Sequence, residues 1–163
     1  MLRQYTEIFS EYENKGYIRR ITVAQPKNLR FIPHHPVLSP KKPGRLRIVF
    51  DCAAKSGGFS LNDCILSGPD LTNDITGVLL RFRMHQIAVS ADIEEMFLQV
   101  GLPPEDRAPF SFFWYPDGDL QKRPEIYQFN VHPFGVTSSP FCAAFALRCV
   151  SNDNRMTFDE KTI

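Results

Sequence analysis

Three segments carry residue types suited to phosphate chemistry. The first, Ile87-Ala88-Val89-Ser90-Ala91-Asp92, reads as a short apolar strand ending in an aspartate. A carboxylate at the C-terminal end of a buried strand is fixed by the backbone before it and stands at a sheet edge. Mg2+ takes oxygen ligands in a near-octahedral arrangement, and the backbone carbonyl of Ile93 offers a second oxygen. The competing role for Asp92 is to cap the next turn. The second segment is His132-Pro133-Phe134-Gly135-Val136-Thr137-Ser138-Ser139-Pro140. Phe134-Gly135 lies between two prolines and runs into a serine-capped helix, so a tight turn is expected. Gly135 lets the backbone approach a base or sugar closely, and the same residues also serve as an ordinary loop and helix start. The third segment, Lys41-Lys42-Pro43-Gly44-Arg45-Leu46-Arg47, places compact ammonium charges and guanidinium forks at a turn. Such groups suit phosphate oxygens, and they also make a solvated basic turn. A zinc set of His34, His35, Cys52 and Cys64 lacks the compact ligand pairs of zinc sites.

These segments need elements to hold them. Leu2, Tyr5, Phe9 and Tyr12 fall near one face with Ile8 beside them, which predicts a helix over the first fifteen residues, closed by Gly16. Gly16 to Ile21 reads as an amphipathic connector. Five prolines between Pro26 and Pro43 exclude helix there. Phe31 to Leu38 reads as extended chain or an edge strand and Leu46 to Asp51 as a strand, together giving a basic hairpin with a lysine-bearing tip. Ala53 to Ser67 is a loop. A helix is expected over Pro69 to Met84, capped by Asp70 or Thr72, with a stripe of Leu71, Ile75, Val78, Leu79 and Phe82. Phe110 to Trp114 and Ile126 to Phe129 flank Pro116-Asp117-Gly118-Asp119 as a second hairpin. Ser138 to Val150 reads as a helix packed by Phe141, Phe145 and Leu147. The tail from Ser151 is polar as far as Met156.

Composition places the chain among globular proteins. It has 163 residues, 43% hydrophobic and 23% charged, which argues against disorder. Fourteen of its aromatic residues are Phe, so phenylalanine is expected to build much of the core. No apolar run approaches the roughly 20 residues of a membrane span, and Met1 to Ser10 lacks the apolar stretch of a signal peptide. Four cysteines without paired spacing read as free buried thiols in a reducing compartment. The net charge of +1 hides a gradient, +7 over residues 1–50 and −6 over 51–163. A basic half joined to an acidic half suits a protein that holds a polyanion with one part and metal cations with the other. Two solvated faces of opposite sign give the same numbers.

Taken in order, the segments resemble the fingers and upper palm of a reverse transcriptase from a BEL/Pao-type LTR retrotransposon. The resemblance is carried by Phe31-Ile32-Pro33-His34-His35-Pro36-Val37, Leu46-Arg47-Ile48-Val49-Phe50-Asp51 and Ser60-Leu61-Asn62-Asp63-Cys64. It continues through Leu79-Leu80-Arg81-Phe82-Arg83, Ala91-Asp92-Ile93-Glu94-Glu95-Met96-Phe97 and Pro133 to Pro140, spanning about Tyr5 to Cys149. It implies an RNA-directed DNA polymerase using Mg2+ or Mn2+, a template-primer of RNA or DNA, and dNTPs. Asp92 corresponds to the first catalytic aspartate, a ligand of both metals, with Ile93 adding its carbonyl. Phe97 stands at the aromatic gate that excludes a ribonucleotide 2′-hydroxyl. Lys42 and Arg47 stand where the fingers contact the triphosphate, and Phe134 and Gly135 where the nucleotide pocket nears the template. Phe134 occupies a position where many retroviral enzymes have Gln, and the Phe-Gly form is similar to other LTR retrotransposons. The implied fold is α+β, right-hand polymerase fingers with an incomplete ferredoxin-like palm. Residues 1–25 form an N-terminal helix and connector, 26–68 basic β-rich fingers, 69–150 the palm portion with its 110–130 hairpin, and 151–163 a tail.

The resemblance also implies a Tyr-x-Asp-Asp turn after the helix that starts near Ser139, and the sequence contains none. Tyr115 is followed by Pro116-Asp117-Gly118-Asp119, where the aspartates are split by a glycine and precede the Phe-Gly segment. The chain is therefore expected to be a fragment of a retroelement polyprotein, whose thumb, RNase H, protease and integrase would be its partners. Alone it is expected not to polymerise. An incomplete palm sheet with an exposed edge implies low stability and aggregation. A non-catalytic nucleic-acid-binding remnant of a decayed element is the alternative, as is an inert one. No membrane association is implied, and the family resemblance places the process in the cytoplasm.

Overall fold

The aromatic spacing of the first residues does make a helix, α1 (Leu2–Asn14), which buries Tyr5 and Phe9. Its end is closed by backbone geometry. Gly16 takes φ +74, its N–H donates to the Glu13 carbonyl at 3.0 Å, and the Tyr17 N–H donates to the Tyr12 carbonyl at 2.9 Å. This paired closure satisfies two terminal carbonyls, and the Tyr12 and Tyr17 rings meet edge to face across it at 6.0 Å. The computed structural model describes residues 1–22, 29–38, 44, 46–84 and 86–157.

The segment after Gly16 is a strand rather than a connector. β1 (Ile18–Ile21) pairs antiparallel with Glu125–Phe129, so that Ile18 faces Phe129 and Ile21 faces Ile126. The first hairpin forms as expected, from β2 (His34–Leu38) and β3 (Leu46–Phe50), with His34 opposite Phe50. Its lysine-bearing tip lies outside the described residues. The second hairpin joins β4 (Ser111–Trp114) to β5 (Glu125–Phe129), giving a sheet in the order β1-β5-β4. Phe31 bridges Ser111 in parallel, and the Ile32 N–H donates to the Ser111 carbonyl at 2.8 Å, tying the chain before β2 to the edge of β4.

One face of this sheet is covered by α1 and the first hairpin. Ile18, Phe112, Tyr127 and Phe129 point inward, with Phe9, Phe50 and Trp114 among the residues packed there. Phe112 has no exposed surface and stacks on Phe9 at 5.3 Å, with Phe50 at 5.0 Å edge to face. Aromatic pairs in these offset and T-shaped arrangements add about 0.5–1.5 kcal/mol each beyond their buried area. The expectation of a phenylalanine-rich core holds for Phe9, Phe50, Phe110, Phe112 and Phe129. The opposite face carries two rows, Arg19-Gln128-Ser111 and Ile21-Ile126-Phe113.

His34 sits inside the aromatic cluster. Its Nε2 lies 2.8 Å from the Phe113 carbonyl, which can only accept, so Nε2 carries the proton and Nδ1 accepts from the Tyr5 hydroxyl. Burial lowers the pKa of His34, and that of His132 for the same reason. Above the ordinary value of about 6.5 both rings are neutral, folded or unfolded. Below it the unfolded chain takes up protons first, so stability falls as the pH drops from about 6.5 towards the lowered folded values. Urea unfolding at pH 7.5 and pH 5 is expected to give the lower midpoint at pH 5, with a smaller difference in His34→Gln. Equal midpoints in the native chain would exclude this linkage.

Three further expectations fail. The helix placed over Pro69 to Met84 is only α2 (Ile75–Phe82), capped by Asp74, whose carboxylate accepts from the Gly77 N–H at 2.7 Å. Asp70 instead accepts from the Thr72 N–H at 2.8 Å, a local turn that competes with helix. The apolar residues of α2 are exposed rather than packed. The strand expected at Ile87 to Asp92 is irregular, with Ile87 and Val89 each 81% exposed. A strand needs a neighbour to take its N–H and C=O groups, and none pairs there among the described residues. The last helix, α3 (Ser139–Asp153), forms, but Ser138 at its cap position makes no side-chain cap bond. Phe145 and Leu147 are exposed, while Ser139 and Ala143 are its buried residues. Among the described residues the structure is thus mixed, with three α-helices and two small antiparallel sheets. Among the described residues no helix is long and apolar enough to cross a membrane.

Candidate functional site

The Phe134-Gly135 turn is built from three directions. The Ser139 hydroxyl donates to the Pro133 carbonyl at 2.9 Å in the interior. The Asn62 side chain spans the turn, its Nδ2 donating to the Gly135 carbonyl at 3.0 Å and its Oδ1 accepting from the Thr137 N–H at 3.0 Å. Gly135 itself has φ +96 and lies so close to β3 that a Cβ would stand 2.6 Å from the Phe50 carbonyl oxygen. The buried Cys52 lines the same contact, its thiol pushed up to about 12 by burial.

Asn62 is itself positioned locally. It begins the 3-10 turn Asn62–Cys64. The Ser60 N–H donates to the Asp63 carboxylate at 2.8 Å and the Asp63 N–H donates to the Ser60 hydroxyl at 3.1 Å. This reciprocal pair is the capping-box arrangement of Ser-x-x-Asp. The bond from the Ser60 N–H holds the Asp63 carboxyl below its ordinary range.

Phe97 reaches the turn from the other side. It lies in the 3-10 turn Met96–Gln99, entered through Glu95 in left-handed backbone at φ 52. That conformation is costly for a non-glycine residue. Its side chain is anchored, because Lys15 Nζ donates to the Glu95 carboxylate at 2.9 Å and the Tyr17 hydroxyl at 3.0 Å. Bonds to Glu11 and Glu95 hold the Lys15 pKa up, and burial together with Glu95 raises that of the Tyr17 phenol. Further on, the Leu102 N–H donates to the Asn130 carbonyl at 2.7 Å and the His132 N–H to the Val100 carbonyl at 2.9 Å. Residues 100–102 and 130–132 are thereby joined, and the Phe97 and Phe134 rings meet at 4.7 Å, tilted by 49°. A cleft of about 450 Å³ lies beside Phe97, walled by Thr137, Phe141 and residues 67–72. His132 Nδ1, next to this junction, is buried with no hydrogen-bond partner among the described residues.

The structure therefore brings Phe97, Phe134 and Gly135 together. Asp92 and Ile93 lie exposed on the irregular segment that leads to Glu95, and Asp92 makes no side-chain hydrogen bond among the described residues. Arg47 is exposed on β3, opposite Val37 and three residues before the Phe50 carbonyl that meets Gly135. A strand rise of about 3.3 Å per residue puts it about 10 Å from that carbonyl. Lys42 lies outside the described residues. Cys52 is a core residue, His34 is half-buried and Cys64 is exposed, and no group of three His, Cys, Asp or Glu side chains suited to a metal occurs among the described residues.

Sequence reasoning gave no role to Asn62, Glu95, Lys15 or Tyr17. The Ser60-x-x-Asp63 spacing was a signal for the Asn62 turn, whereas the Lys15–Glu95 contact spans most of the chain and leaves no local signature. Compared with models of known protein families and with characterised proteins, the sequence matches none.

Proposed function

We propose that the chain forms the nucleotide-facing part of an RNA-directed DNA polymerase of the retrotransposon type, with polymerase fingers and an incomplete ferredoxin-like palm. The observation that supports this best is the pairing of Phe97 with Phe134 over the Gly135 turn. Two rings and an accessible backbone form a surface for a base and its sugar, with Phe134 half exposed. In this reading Phe97 checks the sugar, Phe134 and Gly135 line the base, and Lys42 and Arg47 approach the triphosphate from the hairpin.

A two-metal centre holds two ions about 3.5–4 Å apart and needs several anionic ligands. Asp92 and the Ile93 carbonyl do not fit that requirement by themselves, so the reading for this chain stops at binding. The same mismatch favours the second reading, a nucleic-acid-binding remnant without chemistry.

The test is template-primer binding followed by fluorescence anisotropy, with and without the matching dNTP. Duplex binding is expected to weaken steeply with salt. The dNTP is expected to tighten the complex, and Phe134→Ala to remove that increment while sparing duplex binding. A complex insensitive to dNTP in the native chain would leave only the remnant reading. Magnesium-dependent dNTP incorporation that Asp92→Ala abolishes would refute the restriction to binding.

A further inference from the structure

The sheet face away from the core carries a pair of aromatic rings that the candidate nucleotide site does not use. Phe31 and Phe113 stack at 4.1 Å with 23° between their planes. They remain 36% and 45% exposed. Phe113 is in register with Ile126 and Ile21, so an apolar row crosses all three strands and ends at these rings. Parallel to it runs the row that starts at Arg19, whose guanidinium donates to the Gln128 side-chain oxygen at 2.9 Å. That partner is neutral, so the charge of Arg19 is not cancelled by it. Arg19, Ile21, Pro104 and Ala108 are among the walls of an open cleft of about 490 Å³ on this face. Arg30, next to Phe31, lies over the Phe59 ring at 4.9 Å and donates to the Phe59 carbonyl. Arg20, at the same edge, pairs with Glu125 at 2.9 Å. Arg20 also lines the cleft, so Glu125 stands at its rim, and Glu105 and Asp106 lie on the turn that begins at the wall residue Pro104.

From this we infer that the face is a track for single-stranded nucleic acid, with bases stacking on Phe113 and Phe31 and the backbone passing Arg19. Exposed rings on a sheet beside cations are the combination that binds single strands without sequence preference, because every base offers a π-face. The occupant follows from charge. Arg19 stands in the row beside the apolar one and Arg30 next to Phe31, and neither is paired with a carboxylate among the described residues. An acidic polymer with flat apolar groups complements both features. The inference rests on the reading that the chain handles nucleic acid, but it uses none of the residues of the Phe97–Phe134 pocket.

Anisotropy with labelled (dT)12, (U)12 and a blunt 12-base-pair duplex tests it, on the full chain and on two variants. Phe113→Thr removes the ring and keeps a side chain that strands favour, and Arg19→Gln removes the charge from an exposed strand position. Phe113→Thr is expected to weaken (dT)12 and (U)12 about tenfold and to leave the duplex within about twofold. Arg19→Gln is expected to reduce the salt dependence of (dT)12 binding, the log–log slope falling by about 0.7. Matching far-UV spectra and urea midpoints show that the variants are folded. Single-strand binding by both variants equal to the native chain, with dNTP-dependent duplex binding intact, would overturn this inference alone. No binding of any nucleic acid by the native chain would overturn it together with the proposed function.

Discussion

Phe112→Ala is expected to cost about 3–5 kcal/mol, the range for truncating a fully buried phenylalanine. The ring has no exposed surface and is in aromatic contact with Phe9, Phe50, Tyr127 and Phe129, among others, so removal leaves a hole lined on every side. Neighbours cannot collapse into it freely. Phe9 is held by α1, Phe50 ends β3, and Phe129 lies in the central strand β5. Single domains have only about 5–15 kcal/mol in total, so this one change removes a large part of the stability. Trp114 is the single tryptophan, buried 4.8 Å from the Phe9 ring, and its emission reports the core directly. The variant is expected to show red-shifted emission at urea concentrations where the native chain is folded, with Phe112→Leu intermediate. An unchanged midpoint would mean that the aromatic cluster does not carry the fold.

Gly135→Ala is expected to be nearly as damaging, for a different reason. Alanine at φ +96 is strained, and its Cβ would be driven to 2.6 Å from the Phe50 carbonyl oxygen. That neighbour is backbone at the end of a strand and cannot swing aside as a side-chain tip would. The turn has to move instead, which breaks the Asn62 bonds to Gly135 and Thr137. Strain and lost bonds together amount to about 2–4 kcal/mol. With a slope of about 1–3 kcal/mol/M, the urea midpoint should fall by about 1–2 M. The same movement pulls Phe134 off Phe97, so dNTP-dependent tightening should disappear even below the unfolding range. Native stability with an unaltered dNTP response would remove the close packing of Gly135 from the account of the site.

The contrast between these two residues shows what the sequence made legible. The helical spacing of Tyr5 and Phe9, the proline-edged strand at His34 to Leu38 and the turn at Pro116 to Gly118 are local patterns, and each element forms near its expected place. What stayed hidden depends on distant partners. β1 has two arginines in four residues and becomes a strand only because β5 supplies the ladder. The Ile87 to Asp92 run has a strand's composition, but no neighbour pairs with it among the described residues, so composition alone does not make the strand. At the site, Phe134, Gly135 and Phe97 were legible as unusual residues in an unusual order. Their meeting was not, because it depends on the backbone junction of residues 100–102 with 130–132 and on Glu95 reaching Lys15 and Tyr17.

The pairing of β1 with β5 sets a timetable for synthesis. Ile21 meets Ile126, more than a hundred residues later in the chain. Ribosomes add about 5–20 residues per second, so α1 and β1 leave the exit tunnel about 5–20 s before the strand that completes their sheet. Throughout that interval Ile18 lacks its partner Phe129, Tyr5 and Phe9 have only the first hairpin against them, and the ladder edge of β1 is open to any nascent chain alongside it. The interval is inversely proportional to the rate of translation, so slow codons before β5 lengthen the time over which the newborn chain needs protection.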